Sequence, residues 1–177
     1  MKIKLIIASL FIGMASNAQQ KSSSIDIHGG IVGKLSGSSI PIGIMAGYNY
    51  NTGNNTYEFN VLYSKFNDKL NESKSIEYNT IVLNIGYLRT IARNTSNSMA
   101  INLGAGFLGG LENIPSDNTV VITSKGGGTV GLYAVGNIDF IITDSVSIKL
   151  RGQQNYYILG TTGKFNPFIG LGISFNL

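Results

Sequence analysis

Three features of the sequence predict an all-β fold, an eight-stranded antiparallel up-and-down transmembrane β-barrel. Large apolar residues recur at every second position through eight separate segments, and the chain opens on an export signal. Beyond that signal no run of about 18 apolar residues is present that could cross a bilayer as a helix. An exported chain that enters a membrane without helices must close its strands into a cylinder. Only closure pairs every backbone N–H and C=O away from water.

The opening stretch, MKIKLIIASLFIGMASNAQQ, carries the signal. Lys2 and Lys4 make a basic start, and Leu5 to Ala15 is an apolar run too short to span a bilayer. Ser16-Asn17-Ala18 supplies small residues for cleavage. Cleavage is expected after Ala18, which leaves residues 1–18 as signal peptide and 19–177 as the barrel. The chain has no cysteine, and so no lipid-attachment cysteine. The expected location is the bacterial outer membrane, with its lipid as a partner.

Composition agrees with a membrane wall around a polar interior. Charged residues are 12% of the chain, about half the share usual in a soluble domain, and 23 residues are glycine. Much of the polarity falls to Asn, Ser and Thr. With the signal removed, eleven basic residues stand against nine acidic ones. That balance is no footprint for nucleic acid, and no direct DNA or RNA binding is expected.

The strands are predicted near 24–36, 40–52, 55–67, 76–91, 98–110, 128–142, 146–159 and 165–177. Most exceed the five or six residues usual in soluble sheets and suit a tilted membrane strand. In the first, Ile25, Ile27, Ile31 and Leu35 share a face opposite Asp26, His28, Gly30 and Lys34. In the second, Ile40, Ile42, Ile44, Ala46, Tyr48 and Tyr50 oppose Gly43, Gly47 and Asn49. In the third, Tyr57, Phe59, Val61 and Tyr63 oppose Glu58, Asn60 and Ser64. The fourth sets Ile81, Leu83, Ile85 and Tyr87 against Asn84 and Gly86. The fifth sets Met99, Ile101, Leu103, Ala105 and Phe107 against Asn102, Gly104 and Gly106. The sixth sets Val130, Leu132, Ala134, Ile138 and Phe140 against Gly131, Asn137 and Asp139. The seventh sets Val146, Ile148 and Leu150 against Ser147, Lys149, Arg151 and Gln153. The eighth, KFNPFIGLGISFNL, alternates Ile169, Leu171, Ile173 and Phe175 with Gly170, Gly172, Ser174 and Asn176. A strand this regular at the end of a chain is tied down by pairing with the first.

Hairpins test these assignments, because paired residues share a face. A tight turn at Gly53-Asn54 sets Tyr50 opposite Tyr57 and Tyr48 opposite Phe59, an expected interfacial aromatic girdle. A turn centred on Asp144 sets Asp139 opposite Lys149 and Asn137 opposite Arg151, with an expected Asp139–Lys149 salt bridge in the lumen. The connections after strands three and five, NDKLNESKS and GLENIPSDNTVVITSKGGG, are the long loops and are expected outside the cell.

Little in the chain is built for catalysis. His28, the one histidine, could serve as a base in a lipid-modifying barrel, but its place on the inner face suits a hydrogen-bonding residue of the lumen. Glu58, Asp139, Lys149 and Arg151 are inward charges expected to form a lumenal polar network, since eight strands leave an interior just wide enough for side chains. Phe66, Tyr133 and Phe168 share that face and would fill it further. GGGTVG at 126–131 lacks the Lys-Ser/Thr ending of a phosphate loop. No His/Cys cluster offers a metal site. No enzyme activity and no cofactor are expected.

The stretch from Gly126 to the end resembles the C-terminal part of TraO, a conjugal transfer protein family of Bacteroidetes conjugative transposons. The matching features are Gly127, Gly128 and Gly131, the Thr143-Asp144-Ser145 turn, LRGQ at 150–153, Gly160, and PFIGLGISFN at 167–176. INLGAGFLGGLENI is similar to the family's fifth strand and the loop after it. Relatives tend to end in an aromatic residue, whereas this chain ends in Leu177. The resemblance implies a structural outer-membrane component of a conjugative DNA-transfer apparatus, with other apparatus proteins as partners and no catalytic residues. The alternative reading is a general small outer-membrane barrel for adhesion or envelope integrity, working through the loops at 67–75 and 110–127.

Overall fold

A strand whose faces differ so sharply in polarity needs neighbours on both edges and two different media on its faces. The eight strands meet that need by closing on themselves. The computed structural model describes residues 21–33, 41–71, 74–113, 126–160 and 164–177. The strands are β1 (Lys21–Val32), β2 (Ile42–Thr52), β3 (Asn55–Asn71), β4 (Lys74–Arg93), β5 (Met99–Asn113), β6 (Gly126–Thr143), β7 (Val146–Leu159) and β8 (Phe165–Asn176). They form a closed barrel in sequence order, every pair antiparallel. This is the fold class expected from the sequence. The signal segment, Lys34, Leu35 and Ile40, and residues 114–125 of the long loop lie outside the described residues, as does the side chain of Phe66.

Closure ties down the last strand. Ile25 pairs with Phe175 and Ile27 with Ile173 across the β1–β8 seam. Beyond them the Leu177 N–H donates to the Ser23 carbonyl at 2.8 Å.

The barrel has two ends. One carries the tight turns and both strand termini: Gly53-Asn54, residues 94–98 and Asp144-Ser145, with Lys21 and Leu177. We call it the turn end, and the opposite one the loop end. At the β2–β3 turn Gly53 has φ +60, the sign that a two-residue hairpin needs at its first central position, where glycine costs least.

Several strand boundaries correct the sequence reading. β5 runs on to Asn113 and β6 begins at Gly126, both inside the loop expected at 110–127. β1 ends at Val32, four residues early, where the backbone turns at Gly33 with φ +78. The expected long loop at 67–75 is mostly strand instead: Asn67 pairs with Glu77, Asp68 with Ile76 and Asn71 with Lys74. Apolar alternation is lost there, but a hairpin that has left the membrane needs only its backbone ladder to continue. Elsewhere the register follows the turns, with Thr52 opposite Asn55 and Asp139 opposite Lys149.

The outer face is apolar and bare. Ile44 is 54% exposed, Phe107 71% and Leu171 61%, while the inward Asn84 and Phe168 are 0% exposed. A soluble barrel would reverse this. An 11-residue strand such as β2 is about 36 Å long at roughly 3.3 Å per residue, and tilted by about 40° it covers the ~25 Å apolar band of a membrane barrel. The outer wall is therefore a lipid-facing surface.

Candidate functional site

Charged and polar side chains converge in the lumen, which is built in tiers. Nearest the turn end, β1, β2, β5, β6 and β7 contribute a first cluster. Lys149 Nζ lies 2.8 Å from Asp26 Oδ2, and the Asn49 amide donates to the same oxygen at 2.6 Å. The Asn102 amide donates to Asp139 Oδ2 at 2.8 Å. The expected Asp139–Lys149 salt bridge is thus corrected. The two residues are cross-strand partners, but the ammonium turns the other way, to Asp26. Asp26 comes within reach only because β1 and β8 close the barrel, and Gly172 in the intervening strand puts no side chain in the way.

A second tier lies deeper. Arg151 on β7 is 1% exposed and forks onto Glu58 on β3, Nη1 to Oε2 and Nη2 to Oε1, both at 2.8 Å. Tyr133 on β6 donates to Glu58 Oε1 at 2.7 Å. Gln153 Oε1 accepts from Arg151 Nε and Nη2, and its amide passes the chain on to Asn155 at 2.6 Å. A bidentate pair with further hydrogen-bonding partners on both charges is the geometry in which a buried charge pair can recover its desolvation cost.

The lumen holds these large groups because its wall is notched with glycine. A Cβ on Gly86 would come within 2.0 Å of the Tyr133 hydroxyl, and one on Gly106 within 2.6 Å of its ring. A Cβ on Gly172 would meet His28 Nδ1 at 2.3 Å. His28 lies over that notch, 1% exposed, with Nε2 3.8 Å from Asp26 Oδ2. A ring so enclosed packs the lumen.

Part of the filling is apolar, and it goes beyond the inward Tyr133 and Phe168 expected from the sequence. Val32, Met45, Leu62 and Phe168 form one buried cluster, and Val82, Leu88, Leu108, Tyr133, Val135 and Tyr157 another. The signal was present in runs that break alternation, such as IVLN at 81–84 and FLGGL at 107–111, where neighbouring apolar residues must face opposite ways. Salt bridge and apolar clusters together close the bore.

On the outer face Tyr48 sits opposite Phe59 and Tyr50 opposite Tyr57, in the register the turn dictates. Tyr87 extends the row: its ring meets Tyr57 edge-on at 5.5 Å, and its hydroxyl donates to Asn55 at 2.6 Å. At the other end of the wall Tyr156 and Phe165 pair at 5.1 Å.

Residues 20–177 match the family model described as conjugative transposon protein TraO. The chain belongs to the TraO family. No curated protein matches this TraO-family chain. Among solved structures it is similar to neisserial surface protein A, at 12% identity and a TM-score of 0.64, over 89% of this chain and 97% of that one. It is equally similar to a major outer membrane protein of Thermus thermophilus, at 12% identity and a TM-score of 0.64, over 90% and 100%. The outer membrane protein OprG of Pseudomonas aeruginosa follows at 10% identity and a TM-score of 0.61, over 88% and 96%. At such identities the likeness is one of fold: the TraO-family chain has the architecture of a small outer-membrane barrel.

Proposed function

We propose that this TraO-family protein is a structural component of a conjugative transposon's DNA-transfer apparatus, seated in the outer membrane and acting without catalysis. The observation that carries the reading is the family match over residues 20–177 together with a bore occupied at Arg151–Glu58. A plugged cylinder does not conduct DNA, so its contribution is mechanical. It supplies a rigid wall in lipid and two rims on which other apparatus proteins dock. In this reading the signal peptide is removed after Ala18 and the turn end faces the periplasm. The ring of Tyr48, Tyr50, Tyr57 and Phe59 then lies at the inner interface, where amphipathic rings are favoured. Glu58, Asp139, Lys149 and Arg151 brace the lumen.

The test is an in-frame deletion in the donor, complemented from a second site. Loss of transfer by at least a hundredfold, restored by the intact gene, with the protein found in the outer-membrane fraction, supports the reading. Unchanged transfer frequency removes it and leaves a general envelope barrel.

A further inference from the structure

From the turn end the outward face of β7 runs Val146, Ile148, Leu150, Gly152, Gln154, Tyr156 and Ile158, so one carboxamide stands within the lipid-facing wall. Its neighbours in the same row are Ala134 on β6 and Pro167 on β8, which offer it no side-chain partner. One amide hydrogen turns back to the Asn155 carbonyl at 2.9 Å, and Oε1 accepts nothing from the described residues. Acyl chains supply neither a donor nor water.

The wall is also hollow there. Depressions of about 500 and 480 Å³ meet at Ala134 and Gln154. Their floor is made of small residues: Ala134 pairs with Ala105, and Gly136 with Gly152. The strands on either side carry tall, exposed ones, Leu103 and Phe107 on β5 and Ile169 and Leu171 on β8. Two cylinders side by side touch along a line. Small residues on the line allow close approach, and tall residues beside it reach across the widening gap.

Copies in one membrane share an orientation, so a pair is related by a twofold axis along the membrane normal, and equal depths face each other. With the axis on β7, Gln154 meets Gln154 of the second copy, and β6 meets β8. Rows of paired residues climb toward the loop end as they cross the tilted strands. The row of Tyr57, three residues past Asn54, reaches Gln154 nine past Ser145. Over two strands the climb is about 6 Å, close to one outward step. Ile169 of one copy therefore stands level with Ala134 of the other, and Leu171 with Gly136, a tall residue against a small one at both places. A carboxamide both donates and accepts, so two glutamines satisfy each other.

We propose that this wall is where two copies of the chain pair in the membrane, with Gln154 bonded to Gln154 at the twofold axis. The contact covers about 500 Å² per copy, roughly 1,000 Å² in all, at the lower limit for a specific interface. The dimer is accordingly reversible. Packing and hydrogen bonds hold it, since lipid removes the drive to bury apolar surface. The pairing goes beyond the transfer reading and needs only the lipid-facing wall.

The chain has no cysteine, so a single introduced thiol reports on pairs of copies. Gly152→Cys places one beside the axis, where a Cβ meets only the Gly136 carbonyl, at 4.0 Å. Val61→Cys, on β3 across the barrel, is the control. The whole protein is treated in outer membranes with a short membrane-permeant bis-maleimide, and folding of each variant is checked by its unboiled gel migration. A product of twice the chain's mass from Gly152→Cys, absent from Val61→Cys, supports the interface. Adding Gln154→Leu or Ala134→Phe is expected to lower its yield by about tenfold, the loss that follows when paired hydrogen bonds or a matched contact are removed. No such product, equal yields at the two positions, or an undiminished yield with Gln154→Leu overturns it. A product of another mass also overturns it, since a different protein would then cover this wall. Crosslinking is read without reference to transfer, so a deletion lacking a transfer defect would remove the apparatus reading and leave this result standing.

Discussion

Arg151 and Glu58 are held face to face by strands on opposite sides of the barrel, two hydrogen bonds of 2.8 Å joining residues 93 apart in the chain. The pair braces β3 against β7 through the lumen rather than along the sheet. Tyr133 gives Glu58 a further donor and Gln153 gives Arg151 a further acceptor.

Removing one partner leaves the other charge buried and unpaired. Arg151→Met is expected to destabilise the folded barrel by about 3–5 kcal/mol, read from the urea midpoint of refolded protein in lipid vesicles. Glu58→Met added to it is expected to recover most of the loss, because an apolar pair of similar volume carries no desolvation cost. A double variant as unstable as the single one would show that the pair is not the brace described.

Gly86→Ala sets a methyl against the Tyr133 hydroxyl, with the Ala105 carbonyl 3.1 Å away. Overpacking of this kind costs about 1–3 kcal/mol, measured by the same midpoint. Gly127→Ala, where a Cβ meets nothing within 4 Å, is the control and is expected to leave the midpoint unchanged.

The occupied bore predicts electrical silence. Purified protein in a planar bilayer is expected to show no stable single-channel steps, since Val32, Met45, Leu62 and Phe168 close the lumen on the loop side of the Arg151–Glu58 tier. Arg151→Met is expected to stay silent for the same reason. Reproducible conductance in either protein would contradict the filled lumen.

Leu83 stands on the outer wall, 46% exposed, between Val61 and Gly109 of the neighbouring strands. Leu83→Arg is expected to cost about 2–4 kcal/mol in lipid vesicles, and Thr52→Arg, at the turn end, less than about 1 kcal/mol. Equal costs at the two positions would mean that depth in the wall does not matter.

These expectations rest on features of uneven legibility. Strand number, facing and hairpin register could be read directly, because Tyr50 and Tyr57 or Asp139 and Lys149 are fixed by short turns between neighbours. The partner of Lys149 could not, since Asp26 lies 123 residues away and only barrel closure brings it near. The fork of Arg151 onto Glu58 crosses the lumen, where no local pattern records which charge meets which. The extension of β3 past Asn67 and of β4 before Ile76 was hidden for a different reason: outside lipid a hairpin has no need of apolar alternation, and NDKLNESKS reads as loop although most of its backbone is paired.

The central claim is that the wall turns Ile, Leu and Phe toward acyl chains and shuts its polar and remaining apolar groups inside. Methyl-labelled protein in a lipid nanodisc tests it without substitution, through nuclear Overhauser contacts between protein methyls and lipid acyl-chain protons. The account predicts strong contacts to Ile44, Leu83 and Leu171 and none to Met45, Leu62 and Val82. The reverse pattern, with Met45 and Leu62 against lipid and Ile44 and Leu171 silent, would contradict it.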